Sequence, residues 1–556
     1  MKERYEKWAF FAIIILGVLW IVIHMTLGID MEDSGYYLAK YRYIFEPEIQ
    51  VQTGSMLLTE MIGGWIYHML PSHQYLVFVV LGCGSYFLTA FLVYRFFRRK
   101  KYDLILLCAL LVGVFFSCSW IRMLNYNALS MLFQTIALLL LMQGLKRKHK
   151  KYAFVAGVMI GLNVLIRLPN ILQFCFGAVF LWHYGICKGE WKKGFQNLGW
   201  FVLGGIAGGL FSAIAGELLL KKASLLDIFS GAFQTLGNAE SRHGFFNILN
   251  NILVGLERGI SMWAVKLFLL AGFLFVAAYI RKRVGRDSKL WWILWVLIFA
   301  VGFLWGTKID NMYVMGAMIG VMFLASGIKA MFSEGISAHE SSIACLLVLS
   351  ELILTVGTDN GWYYQLVFMA WPVAAVVSLS PHLIPQKETY AKVLCGFAAA
   401  TIVGSSLYYS ANYVYRDAGY HELSYRVDVP ECAGMRTTAE KGQGLESLYA
   451  QLNELDGEYR YLAALGSNCL CYCFSDLDPC FTSVWPDLES LTYEDFVSQF
   501  MDRVEQGEYP VIVFSDFELN WELEETEKYT FLYEMTKQYH YTQVGDNPYF
   551  EIYIRQ

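Results

Sequence analysis

The stretch KWAFFAIIILGVLWIVIHMTLGIDMEDSGYY (7–37) decides the reading of the chain. It opens with an apolar run over roughly 8–28, about the ~20 residues that cross a bilayer. A basic start, MKERYEK, precedes the run and no small-residue cleavage site follows it, so it reads as an uncleaved anchor. Directly behind come three carboxylates, Asp30, Glu32 and Asp33, then Ser34, Gly35, Tyr36 and Tyr37. Ionisable groups at membrane depth are costly, and such placements mark functional sites.

The rest of the chain repeats the first half of this pattern. Of its 556 residues 56% are hydrophobic and 16% charged, with a mean hydropathy of +0.41, against about 25% charged in soluble domains. Twelve further apolar runs fall near 74–94, 103–120, 127–145, 152–167, 171–187, 197–219, 260–280, 290–306, 312–331, 342–356, 363–380 and 392–410. With thirteen spans, the basic loops RFFRRKK (95–101), KRKHKK (146–151), CKGEWKK (187–193) and RKRVGRDSK (281–289) share the side of the N-terminus. That side is then cytoplasmic. The expected fold is a polytopic α-helical membrane protein: a transmembrane part over 1–410 and an external α/β domain over 411–556. GSMLLTEMIGGWIYHML (54–70) is read as an interfacial helix inside a first external loop, 29–73. A second external loop covers 220–259 and contains amphipathic stretches.

Charge divides the chain at the same place. Residues 1–410 hold 34 Lys and Arg against 21 Asp and Glu, a net +13, while 411–556 hold 9 against 27, a net −18. An acidic tail disfavours nucleic acid as a partner and close docking on anionic lipid. Its helices are expected at 437–456, 492–508 (capped by Thr492) and 524–539, its strands at 459–466, 509–517 and 549–555. Of twelve cysteines, seven lie in or beside apolar spans as small hydrophobes. Cys432, Cys469, Cys471, Cys473 and Cys480 lie in the tail, and their C-x-C-x-C run lacks the spacing of common zinc sites. They read as thiols or a disulfide.

Polar clusters gather at span ends on the external side: Asp30–Tyr37, Arg122 with Asn125, Tyr126 and Asn127, Arg167 with Asn170, Lys308 with Asp310, and Asp359 with Asn360. Short loops need polar turn formers anyway. The common sidedness is what makes the set informative. Arg122, Arg167 and Lys308 suit a phosphate, and a carboxylate beside them suits proton abstraction from a hydroxyl. Tyr37, Asn125, Tyr126, Asn127, Asn170, Asp310, Asp359 and Asn360 would line the site. His24 reads as a packed histidine, and Glu217 and Glu351 receive no role. Asp227, Glu240, Arg242 and His243 in the second external loop are weaker candidates.

At the first external loop the chain resembles the GT-C superfamily of membrane glycosyltransferases, which includes protein O-mannosyltransferases and lipid A aminoarabinose transferases. Their signature is a carboxylate just after the first span, usually Asp-Glu, with an aromatic four residues beyond the Asp. Asp33 and Tyr37 match it. Ser34 replaces the Glu and Glu32 stands on the other side, which leaves the base open between Asp33 and Asp30. The resemblance implies inverting transfer from a polyprenyl-phosphate-linked sugar to an external glycan, lipid or protein acceptor at the cell membrane, with a first-loop Asp as general base. It implies no obligatory cofactor, since only some members need a divalent metal. Asp30 and Glu32 would shape the site or hold such a metal. The rival expectations are an O-antigen ligase or polymerase, a transporter, and a non-catalytic scaffold. The compact loops and the resemblance point to a bacterial cytoplasmic membrane.

Overall fold

The computed structural model describes residues 2–46, 49, 56–98, 103–220, 245–284, 289–309, 311–354, 356, 361–383, 389–466, 468–488, 491–519 and 522–556. The transmembrane part contains α1 (Lys2–His24), α2 (Asp33–Tyr43), α3 (Leu57–His68), α4 (Gln74–Phe97), α5 (Asp103–Cys118), α6 (Tyr126–Arg147) and α7 (Lys150–Ile166). It continues through α8 (Ala178–Phe180), α9 (Trp191–Leu220), α10 (Phe245–Val284), α11 (Lys289–Gly306), α12 (Met312–Met331), α13 (Ala338–Leu354), α14 (Tyr364–Val367), α15 (Ala370–Leu383) and α16 (Thr389–Asn412). Six of these stretches are long and apolar enough to cross a membrane: Gln74–Phe97, Tyr126–Arg147, Trp191–Leu218, Leu249–Phe275, Met312–Met331 and Val393–Asn412. Phe10–His24, Asp103–Cys118 and Trp295–Gly306 are shorter apolar helices. Large apolar side chains such as Leu218, Phe268 and Phe275 point outward. An apolar exterior on this scale suits lipid as the surrounding solvent.

Two segments differ from the sequence expectation. The run near 171–187 is not a regular α-helix: Pro169 opens a 3-10 stretch, Leu168–Gly177, and the chain then widens to a π-helix over Leu181–Ile186. Residues 245–259, expected in the second external loop, form the first turns of the 40-residue α10. The glycines there, Gly255 and Gly259, lie against Trp362 and Ala317, so they mark close packing and not a break. Residues 221–244, with Asp227, Glu240, Arg242 and His243, lie outside the described residues. The stretch read as interfacial forms α3, packed by Gly63 and Gly64 on Tyr41 and Ile44 of α2.

Small residues bring α7 and α9 together. A Cβ on Gly157 would sit 2.8 Å from the amide nitrogen of Gly205, and one on Gly161 2.7 Å from that of Gly209. In lipid, where apolar side chains gain nothing by leaving the solvent, such backbone proximity is a main source of helix association.

The tail domain is a three-layer unit. A short antiparallel pair, β1 (Tyr425–Arg426) and β2 (Arg436–Thr437), precedes the main sheet, which runs β4 (Asp478–Pro479), β3 (Tyr461–Gly466), β5 (Val511–Ser515), β7 (Phe550–Ile554) and β6 (Thr542–Asn547). β3 is parallel to β4 and β5, and β7 is antiparallel to β5 and β6. β5 is buried along its whole length and β3 nearly so, as expected of strands covered on both faces. α17 (Ala439–Glu454) covers one face through Leu445, Leu448 and Leu452. α18 (Tyr493–Glu505) and α19 (Glu527–Gln538) cover the other through Phe496, Phe500 and Leu532. Thr492 caps α18 as expected, accepting the amide of Asp495 at 3.2 Å.

Gly161→Leu is expected to push α7 off α9 and lower the unfolding temperature in detergent, since overpacking costs about 1–3 kcal/mol. Gly199→Leu, on the same α9 but with open space around its Cβ position, should melt like the parent chain.

Candidate functional site

The first loop is built around Asp30. Its carboxylate accepts the amides of Glu32 (3.0 Å), Asp33 (3.2 Å) and Ser34 (2.7 Å), which closes the N-terminus of α2. Its own amide donates to the Tyr75 hydroxyl at 2.8 Å. Burial pushes the Asp30 carboxyl above the ordinary range, with Arg416 and the amide bonds pulling the other way. Asp30 therefore shapes the loop, and its position turns Glu32 and Asp33 toward the tail.

Asp33 meets two groups from the segment behind α16. Its carboxylate accepts a short hydrogen bond from the Tyr415 hydroxyl and lies 3.2 Å from Nε of Arg416. The Arg416 guanidinium also contacts Glu32 and pairs with Glu518 at 3.3 Å. Its Nε donates to the Tyr415 hydroxyl as well, at 3.1 Å. Arg416 has φ +50°, in the left-handed region, where a non-glycine backbone costs about 1–2 kcal/mol. The reversal lets both flanking side chains reach the first loop. Tyr415 binds Asp33, and Asp417 accepts the amide of Ile29 at 2.8 Å.

The carboxyl ends of the parallel strands complete the surround, the usual place for sites in such sheets. Behind β3, the amide of Leu470 donates to the Met31 carbonyl at 3.0 Å. Behind β5, Asp516 accepts the amide of Glu518 at 2.8 Å and so holds the residue that meets Arg416. Trp485 lies against Tyr36, ring centroids 5.7 Å apart. From there an aromatic row runs through Tyr37 (5.7 Å) to Tyr126 (5.9 Å), over which Arg167 sits at 5.4 Å. Trp120 packs on Tyr415 at 4.3 Å.

The expected residues thus separate into groups. Glu32 and Asp33 share Arg416, while Tyr37, Tyr126 and Arg167 form a contact row that starts from the same helix. Arg122 lies on a cavity shared with Trp20, His24, Ser119 and Tyr415. Its two terminal nitrogens bind the carbonyls of His24 and Leu27 at the end of α1. His24 is packed as expected, stacked on Trp20 and Tyr420. Asn125 caps α6, accepting the amides of Asn127 and Ala128, and is fully buried, as Asn127 nearly is. Asn170 belongs to a buried amide network with Ser130, Asn163 and Gln173. Lys308 is exposed at the end of α11. Asp310, Asp359 and Asn360 lie outside the described residues. The tail cysteines are buried free thiols. Among the described residues no group of three or more His, Cys, Asp or Glu is arranged to hold a metal ion.

Tyr415, Arg416 and Glu518 were missed from sequence. Arg416 carried a usable signal, being one of nine cations in a strongly acidic segment and lying just behind the last apolar run. Glu518 carried none.

Two variants test this construction. Asp30→Ala should lower thermal stability by about 1–2 kcal/mol or more through the lost cap, while Asp33→Asn melts near the parent temperature. Asp487, beside Trp485, gives a pH signature. Burial pushes its carboxyl from 3.8 up to about 7, against the Gly466 amide and Lys528. The folded state thus favours the protonated acid. The tail-domain stability it confers is full below about pH 4 and fades as pH rises through 7. Asp487→Asn should flatten that part of the pH–melting profile, and an unchanged slope would contradict the assignment.

Among solved structures, the chain is similar to an oligosaccharyltransferase from Archaeoglobus fulgidus in complex with Zn and sulfate. Identity is 13% over 90% of this chain and 67% of that one, with a TM-score of 0.46. It is also similar to ArnT from Cupriavidus metallidurans in the apo state (10%, 99% and 98%, TM-score 0.42) and bound to undecaprenyl phosphate (11%, 98% and 97%, TM-score 0.38). At these identities and TM-scores the similarity identifies no residue and carries no assignment. No family profile and no curated protein matches the chain. By its apolar helices and its C-terminal sheet, the chain is a multi-pass α-helical membrane protein with a C-terminal α/β domain.

Proposed function

We propose that the chain transfers a sugar from a polyprenyl-phosphate donor to a hydroxyl of an acceptor outside the cytoplasmic membrane, with inversion and with Asp33 as general base. The single observation that carries this reading is the setting of Asp33. It is a part-exposed carboxylate at the start of α2, beside a phenol and a guanidinium, on the same helix as Tyr36 and Tyr37 of the aromatic row that reaches Arg167.

In the reaction the acceptor oxygen attacks the anomeric carbon as the bond from that carbon to the phosphate oxygen breaks. The acceptor proton passes to Asp33, and the carrier leaves as a polyprenyl phosphate with one more negative charge. Cations near that oxygen gain most as the charge develops. Arg167 is assigned first to this role, with Arg122 and Lys308 as the further cations of the same face. Tyr36 and Trp485, both half-buried, offer aromatic faces suited to a sugar ring. The N-terminus is assigned to the cytoplasm and the tail domain to the outside, in a bacterial cytoplasmic membrane. Glycan, lipid and protein acceptors all fit the chemistry.

Asp33→Asn should lower kcat for sugar release from radiolabelled polyprenyl-phosphate sugars by about 10²–10⁴-fold, with no rise in KM for the donor. Turnover within tenfold of the parent would remove Asp33 as base.

A further inference from the structure

Arg416 holds more anionic partners than one cation can fully neutralise. Its guanidinium contacts Glu32, lies 3.2 Å from Asp33 and 3.3 Å from Glu518, and its Nε also meets the Tyr415 hydroxyl. Two of those carboxylates, Glu32 and Glu518, are part-exposed, at 16% and 43%, so water can solvate them when the guanidinium moves. Its main chain, by contrast, is fixed. The Arg416 carbonyl accepts Nζ of Lys441 at 3.0 Å, and Tyr415 and Asp417 anchor either side. The residue is tethered at its backbone and exchangeable at its tip.

Arg122 is built the opposite way. Its terminal nitrogens satisfy carbonyls at the end of α1, where a cation complements the helix dipole. Moving them would strand those acceptors away from partners.

We propose that Arg416 is a ligand of the donor phosphate, and that the phosphate draws its guanidinium off Asp33. The proposal deepens the transferase reading and rests on Asp33 being the base. A planar guanidinium exchanges readily between carboxylate and phosphate, because both accept paired N–H donors and the phosphate offers more acceptor oxygens. In the clamped state one oxygen of Asp33, Oδ2, both accepts from Tyr415 and faces Arg416. Donor binding draws the guanidinium off that oxygen, so the base parts from its cation only when the leaving group is in place. The tail domain thereby joins the catalytic centre through Arg416 and Glu518.

The test is equilibrium binding of a sugar-free polyprenyl monophosphate to the purified full-length chain, with neutral polyprenol as control. Arg416→Gln should weaken phosphate binding tenfold or more. Asp33→Asn and Glu518→Gln each remove a competitor for the guanidinium and should tighten binding about threefold. Polyprenol affinity should be the same in all. Unaltered binding by Arg416→Gln overturns the proposal. So does unchanged or weaker binding by both carboxylate variants, which settles the matter even where Arg416→Gln fails to fold. The base reading is tested separately by turnover. Asp33→Asn that binds the carrier tightly and still transfers sugar sinks the base but leaves Arg416 as phosphate ligand. A parent chain that binds phosphate no better than polyprenol overturns both.

Discussion

One buried ammonium ties the two halves of the molecule together. Nζ of Lys441, on the first helix of the tail domain, donates to the Ile29 carbonyl at 2.7 Å and the Arg416 carbonyl at 3.0 Å, and lies 3.7 Å from Asp417. Lys441 is 6% exposed. A charge so far from water persists only when its partners are in place, and losing one partner of a buried pair costs about 3–5 kcal/mol. Loop, linker and tail helix therefore hold one another. Asp417 completes the joint by accepting the Ile29 amide and the Thr437 hydroxyl. Gly28 and Arg436 add main-chain bonds across the same seam.

From that joint the rest follows mechanically. With Ile29 and Met31 fixed by the tail, Asp30 can gather three amides and start α2. The start of α2 sets where Glu32 and Asp33 emerge. Gly35 lets the tail approach, since a Cβ there would lie 2.9 Å from Cα of Leu470. The carboxyl ends of β3 and β5 then deliver the segment around Leu470 and Glu518 to the same place. A sheet whose parallel strands end at a membrane-side loop turns an accessory domain into part of the site wall.

The electrostatics of this place come from unequal counting. Asp30, Glu32, Asp33 and Glu518 gather near Arg416 and Lys441, and the deficit of positive charge is greatest at the exposed edge. A buried cation such as Lys441 is spent on structure. A part-exposed one such as Arg416 can change partners at small cost, because water replaces what it leaves. Burial thus separates the clamp from the exchangeable group within one cluster.

Much of this was legible in the chain itself. Hydropathy alone marks the apolar helices, because lipid requires long runs and intrasegment hydrogen bonds. The charge change near residue 411 marks the tail, and the amphipathic period of 437–456 and the Thr492 cap of 492–508 mark its helices. Asp33 and Tyr37 were readable because a carboxylate behind an anchor is rare enough to notice. β6 was not, since TQVGDN (542–547) is a polar edge strand without an apolar run. The turn from loop to helix at 245 was not either, because the continuous apolar run begins only near 260. The partners of Asp33 lie 382 and 383 positions away, and no local pattern carries such a pairing. Local periodicity determined which segments cross the membrane and which fold outside it. Only the tertiary structure decided that Arg416 meets Asp33, because that meeting depends on a left-handed turn and a buried lysine whose energies come from long-range contacts.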